Sequence, residues 1–224
     1  MMTPRAVLFD LDGTLYDLGA LRSEMVMELL VLALTFRWRT LLRIRAFRKQ
    51  FETLRELGRP EAPLRVTRFE RAAAARGDRV EAVRETHDEW MLRRPAKYLA
   101  SAMRKDLRAS LARLREAGLK VGVFSDHPVE AKLRAMGIRE EFDFALSAMD
   151  PNINAMKPHP RGLEVACTRW GIEPGELVYV GDREDVDVAV AQAAGARPVL
   201  IGLPGASQHE SVLNFNELAN LLLA

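Results

Sequence analysis

The sequence contains a single cysteine, Cys167. One thiol excludes an internal disulfide and a cysteine-rich zinc site. Set in an apolar helical run, it reads as an inert buried thiol, in keeping with a reducing cytoplasm. No apolar run reaches the ~20 residues that cross a bilayer. The nearest, residues 25–36, is interrupted by Glu28 and closed by the arginines from Arg37 onward, which predicts a buried helix and no membrane partner. The opening MMTPRAVLFDLDGT lacks both the apolar core and the cleavage site of an export signal, so a cytoplasmic chain is expected. Charge of one sign is also scarce. A net charge of +2 gives no ground for a nucleic-acid partner. There is no internal repeat and no low-complexity linker. What remains is ordinary globular material: 224 residues, 48% hydrophobic and 29% charged, enough for one large domain or a core carrying an insertion.

The small net charge hides a split. Residues 20–100 hold 18 Lys and Arg against 11 Asp and Glu, and the rest of the chain holds 15 against 20. The densest basic run is Arg37, Arg39, Arg43, Arg45, Arg48 and Lys49, interleaved with Trp38, Leu41, Leu42 and Phe47. It is expected to be a solvated helix face whose apolar side packs inward, with attraction of anionic substrates or of anionic lipid as the competing readings.

Four short runs, 6–9, 120–124, 177–180 and 198–201, are apolar at consecutive positions, as strands buried on both faces of a parallel sheet require. Residues 144–147 make a candidate fifth. Helical patterns at 106–117, 129–136, 160–170 and 187–194 each end at a glycine, the usual helix stop. This alternation predicts a doubly wound α/β sheet. More than a hundred residues without strand signals separate the first two strands, far more than one crossover needs, and helical spacing recurs there at Ile44, Phe47, Phe51 and Leu54, then at 64–75 and 79–92.

In such sheets functional groups collect past the carboxyl ends of the strands. Here those ends carry Asp10, Asp12 and Gly13, then Ser125, then Lys157 before Pro158 and a helix, then Asp182 with Asp187 five residues on. Asp10 and Asp12 alternate along an extended segment and can face one side, while Gly13 permits a sharp departure. Two carboxylates so placed repel. A divalent cation lowers that cost, and Asp182 and Asp187 add hard oxygen ligands suited to Mg²⁺. A hydroxyl at Ser125 and an ammonium at Lys157 suit a phosphate, and a carboxylate can itself attack phosphorus. Singly, each residue has a plainer reading: Asp-Gly as a turn, Ser125 or Asp182 as a helix cap, Lys157 as a surface lysine. Their ordered recurrence at successive strand ends is what argues for chemistry.

The stretches FDLDGTLYD, VFSDHP, MKPHP and VGDREDVD resemble the haloacid dehalogenase-like hydrolase superfamily, with its DxDGT pair, its Ser or Thr at a strand end, its Lys before Pro and its GDxxxxD motif. The resemblance implies a Rossmann-like core at 1–17 and 101–224 with an inserted α-helical cap at 18–100. It implies Asp10 as nucleophile, Asp12 as general acid then base, and Ser125 and Lys157 as phosphate binders. Mg²⁺ would be held by Asp10, Asp182, Asp187 and the main-chain carbonyl of Asp12. The expected reaction is hydrolysis of a small phosphorylated substrate through a phosphoaspartyl intermediate. A phosphomutase, or a non-catalytic protein binding through its basic cap, are the alternatives. Dehalogenases of this superfamily lack the second aspartate, so Asp12 argues against carbon–halogen cleavage. Two positions depart from the pattern of many relatives: Val186 and Asp126 stand where asparagine is usual, and Asp126 would put a negative charge beside the phosphate unless a cation or a cap arginine faces it.

Overall fold

A computed structural model of the chain describes residues 3–34, 38–202 and 208–224. Phe36 and Arg37, which bound the longest apolar run and open the basic one, lie outside the described residues.

The first strand, β1 (Ala6–Phe9), is apolar and buried at every position. Helices follow: α1 (Leu18–Leu34), α2 (Trp38–Leu57), α3 (Leu64–Ala74), α4 (Val80–His87), a π-helical turn at Asp88–Arg93, and the short α5 (Arg94–Ala96) and α6 (Leu99–Ala102). Beyond α7 (Leu107–Glu116) strands and helices alternate: β2 (Lys120–Ser125), α8 (Glu130–Ala135), β3 (Phe144–Ser147), α9 (Arg161–Trp170), β4 (Leu177–Gly181), α10 (Ala189–Ala194), β5 (Arg197–Ile201), β6 (Ser211–Val212) and α11 (Phe215–Leu223). The strands form one parallel sheet in the order β3-β2-β1-β4-β5-β6. The chain moves outward from β1 through β2 to β3, then crosses back to add β4 on the other side. Strand order therefore reverses at β1, and the crevice past its carboxyl end is where such sheets bind ligands.

Alternation along the strands divides the core in two. Ala6 and Leu8 join Phe124, Leu163, Trp170, Tyr179 and Val190 on one face, whereas Val7 and Phe9 join Val123, Leu111, Leu133, Val180 and Leu218 on the other. α9 and α10 thus cover one face and α7, α8 and α11 the other. The first cluster continues without a break into the inserted helices through Phe47, Phe51, Leu54 and Phe69. Departing and returning chain run side by side at the base of these helices: Asp17 N–H donates to Ala102 O (2.9 Å) and Arg104 N–H to Leu15 O (3.1 Å).

The expected strands and the long helical interval match the architecture. β6 and α11 were not expected. β6 is two residues long, whereas α11 carries a legible start, Asn214 accepting from Glu217 N–H at 2.9 Å. α1 corrects the expectation of a buried helix. Leu21, Met25 and Leu32 pack inward, but Met27, Val31 and Leu34 are exposed, Leu34 by 75%. α1 packs on one side only, so its apolar stretch buries just the stripe facing its neighbours. Among the described residues no helix is long and apolar enough to cross a membrane.

Candidate functional site

Asp10 begins where β1 ends, its N–H still donating to Val180 O at 2.8 Å. Three residues later Gly13 adopts φ +98°, a conformation side chains resist, and a Cβ there would collide with the Asp182 carboxylate. Arg104 holds the resulting loop from outside, Nη2 donating to Gly13 O (2.7 Å) and Nε to Thr14 O (2.9 Å). Gly13→Ala is expected to destabilise the fold by about 1–3 kcal/mol and to displace Asp182 from Asp10. Urea unfolding and an activity assay check it together, and a variant unchanged in both would show that the loop tolerates a side chain.

All six residues singled out by the sequence line one cavity of 540 Å³. Lys157 is at its floor, 4% exposed. Its Nζ donates to Asp10 Oδ1 (2.6 Å), Asp187 Oδ1 (2.7 Å) and the Tyr179 hydroxyl (3.1 Å). Asp187 uses its other oxygen to accept the N–H groups of Asp182 (3.1 Å) and Arg183 (3.0 Å), fixing the loop after β4. No side chain among the described residues is seen donating to the Asp182 carboxylate, which is within reach of its own main-chain N–H. Asp10, Asp182 and Asp187 each offer an oxygen within 4.8 Å of the others.

Negative charge is in excess here. Burial drives the Asp10 carboxyl upward, Lys157 pulls it back, and the Asp187 and Asp12 charges push in the same direction as burial. Asp182 is pushed up to about 6, by burial first and by Asp187 second. Lys157, although buried, is held well above its ordinary range because Asp10 and Asp187 outweigh the burial. One ammonium among three carboxylates leaves the cluster short of positive charge. A donor set made wholly of hard carboxylate oxygens, with no ammonium or guanidinium paired to Asp182, fits a Mg²⁺ ion.

Asp12 is placed differently, its side chain outside that trio. Lys132 of α8 and the Tyr16 hydroxyl both donate to its Oδ1, and Ser125 Oγ lies 3.4 Å from its Oδ2. Burial would raise its carboxyl, but the Lys132 ammonium and these hydrogen bonds hold it below the usual carboxylate range. Ser125 Oγ also accepts the His127 N–H (3.1 Å). His127 itself stacks on Phe51, ring centroids 4.5 Å apart, and burial pushes its pKa down to about 3, so it is an uncharged wall residue.

Asp126 finds an arginine of the inserted helices facing it. Arg55 of α2 donates to Asp126 Oδ2 at 2.6 Å, while Oδ1 accepts the Lys157 N–H at 2.9 Å. The carboxylate therefore ties the inserted helices to the loop carrying Lys157. The basic run divides. Arg43 is paired with Asp78 (3.1 Å), Arg39 and Arg45 are exposed, and Arg48 borders the cavity. Tyr16, Lys132, Arg55, Arg104 and Tyr179 are polar groups at the site that the sequence did not single out. Tyr16 lies two residues beyond the DLDGT segment and could have been suspected; the other four meet the site only through the fold.

The chain matches the sequence profile described as haloacid dehalogenase-like hydrolase over residues 4–195. It is 32% identical over 102 residues to the phosphoglycolate phosphatase of Haemophilus influenzae, 44% of each chain. It is 38% identical over 99 residues to the glyceraldehyde 3-phosphate phosphatase of Methanopyrus kandleri, 43% of this chain and 42% of that one. These matches thus span less than half the length of the relatives. In structure it is similar to a HAD phosphatase from Thermococcus onnurineus, with a TM-score of 0.60 over 97% of both chains at 22% identity, a likeness of fold.

Proposed function

The chain belongs to the haloacid dehalogenase-like hydrolases, and on that premise we propose that it is a Mg²⁺-dependent phosphatase of a small phosphomonoester. The observation that carries this reading is the cluster of Asp10, Asp182 and Asp187, an oxygen of each within 4.8 Å of the others, at the carboxyl end of β1 with Lys157 bridging two of them. Phosphatase names among the sequence relatives support it.

Asp10 is assigned as nucleophile. Its carboxylate forms a bond to phosphorus as the bond to the ester oxygen breaks, giving an aspartyl-phosphate and an alcohol. Lys157 holds the attacking carboxylate in place and, with Ser125, meets the phosphoryl oxygens. Asp12 gives a proton to the departing oxygen, then takes one from the water that cleaves the aspartyl-phosphate to inorganic phosphate. With Lys132 and Tyr16 beside it the resting group is a carboxylate. An arriving phosphate dianion raises its proton affinity, as like charge does, and so supplies the acid form for the first step. Asp10, Asp182 and Asp187, with the carbonyl of Asp12, would hold Mg²⁺, which neutralises phosphoryl charge when bound. Helices between residues 18 and 100 are assigned as a cap that encloses the leaving group and keeps bulk water out.

Hydrolysis of p-nitrophenyl phosphate in the presence of Mg²⁺, lost by at least about 100-fold on chelation and restored by added Mg²⁺, is the expected result. Undiminished turnover in EDTA would overturn the metal dependence. No turnover of any phosphomonoester in Mg²⁺ would overturn the phosphatase reading.

A further inference from the structure

Between a polar floor and a charged rim the cavity has a largely apolar wall. Above Asp10 and Lys157 the inserted helices present Leu21 and Met25 of α1, Phe47 and Phe51 of α2, and Trp90 and Met91 of the π-helical turn. Leu21, Met25, Phe47, Phe51 and Trp90 are all less than 9% exposed. The histidine on this wall adds no charge. His87 packs against Phe47 and Phe69, ring centroids 4.7 Å and 5.2 Å away, and burial with Arg68 beside it pushes its pKa down to about 4.

Charged groups that border the cavity above its floor are either spoken for or at the rim. Arg55 is paired with Asp126 and Glu52, Arg183 with Asp185, and Lys132 with Asp12. Arg22 and Arg48 border it too, but both are exposed. Among the described residues that line the cavity, therefore, no cation below the rim is without a carboxylate partner, and Arg68, buried beside His87, is not part of the lining. Size points the same way. A cavity of 540 Å³ falls in the range that encloses drug-sized ligands, about 300–1,000 Å³, and a phosphate carrying a two-carbon acid would leave much of it unfilled.

Resting on the phosphatase reading above, we propose that the substrate is a phosphomonoester of a hydrophobic alcohol, alkyl or aryl, whose apolar body lies against Leu21, Met25, Phe47 and Trp90, and that it is not a short hydroxy-acid phosphate. Water leaves both surfaces when such a group binds, so kcat/KM rises with chain length until the wall is covered. Rim arginines Arg22 and Arg48 then serve encounter with the phosphate, an effect that salt screens.

The test is a series of ethyl, butyl, hexyl and 2-phenylethyl phosphates against 2-phosphoglycolate, with Mg²⁺ present. Expected is a rise in kcat/KM of roughly threefold per added methylene from ethyl to hexyl, with phosphoglycolate well below hexyl phosphate. Trp90→Ala and Met25→Ala should each shrink the ratio of hexyl to ethyl phosphate by about tenfold. Flat chain-length dependence, or phosphoglycolate turned over as well as hexyl phosphate, overturns the inference while leaving the phosphatase reading standing. If no ester is cleaved, the phosphatase reading fails, and calorimetric binding of hexylphosphonate against phosphonoacetate decides the wall by itself. Tighter hexylphosphonate supports an apolar ligand, and equal or weaker binding overturns it.

Discussion

Asp10→Asn is expected to lower turnover of any phosphomonoester by at least about 10⁴-fold and to leave the folded state intact. The amide is nearly isosteric with the carboxylate but has no charge with which to attack phosphorus. Lys157 would not be stranded, because Asp187 Oδ1 at 2.7 Å and the Tyr179 hydroxyl at 3.1 Å still receive its protons. The mutation also removes one of three crowded carboxylates, so repulsion within the cluster falls. A melting temperature within a few degrees of the parent, together with lost turnover, is the predicted pair of results. Turnover close to that of the parent would reject Asp10 as nucleophile.

The second large effect concerns Asp12 and depends on the leaving group. Alkyl phosphates expel a strongly basic oxygen that needs a proton as the bond breaks, whereas nitrophenolate departs without one. Asp12→Asn should therefore slow the first, aspartyl-phosphate-forming step by about 10²–10⁴-fold for an alkyl phosphate, and by at least tenfold less for p-nitrophenyl phosphate. Single-turnover measurements isolate that step. Position is not expected to change, since an asparagine at residue 12 still offers Lys132 and Tyr16 an oxygen to donate to. Equal losses on the two esters would remove the acid role and leave Asp12 as a group that only orders the loop.

Val186 and Asp126, the two departures from the usual pattern, have separate outcomes in the fold. Val186 is a buried apolar residue in the turn that carries Asp187, a position where packing suffices. Asp126 is a buried charge close to Asp187, a costly arrangement that Lys157 and Arg55, the latter 2.6 Å away, offset together. Nothing near residue 126 in the sequence announces that arginine, 71 positions earlier in an amphipathic helix whose other arginines face solvent or pair elsewhere.

By itself the sequence determined the parallel α/β class, five of the six strands and the long helical interval, and it singled out the six polar residues that the fold brings to one cavity. A buried parallel strand must be apolar at every position and a helix must end in a residue that can turn, so both leave marks within a few residues of themselves. The tertiary structure alone decided which groups face one another. Lys132 on Asp12, Arg55 on Asp126 and Arg104 under the Gly13 loop join residues 120, 71 and 91 positions apart, the apolar wall above Asp10 is assembled from three separate helical segments, and a charge pair or a packed ring imposes no spacing on the chain that carries it. The outward face of α1 belongs to the same class. Whether Met27 and Leu34 are covered depends on what layer lies beyond them, and nothing in the apolar run itself specifies that.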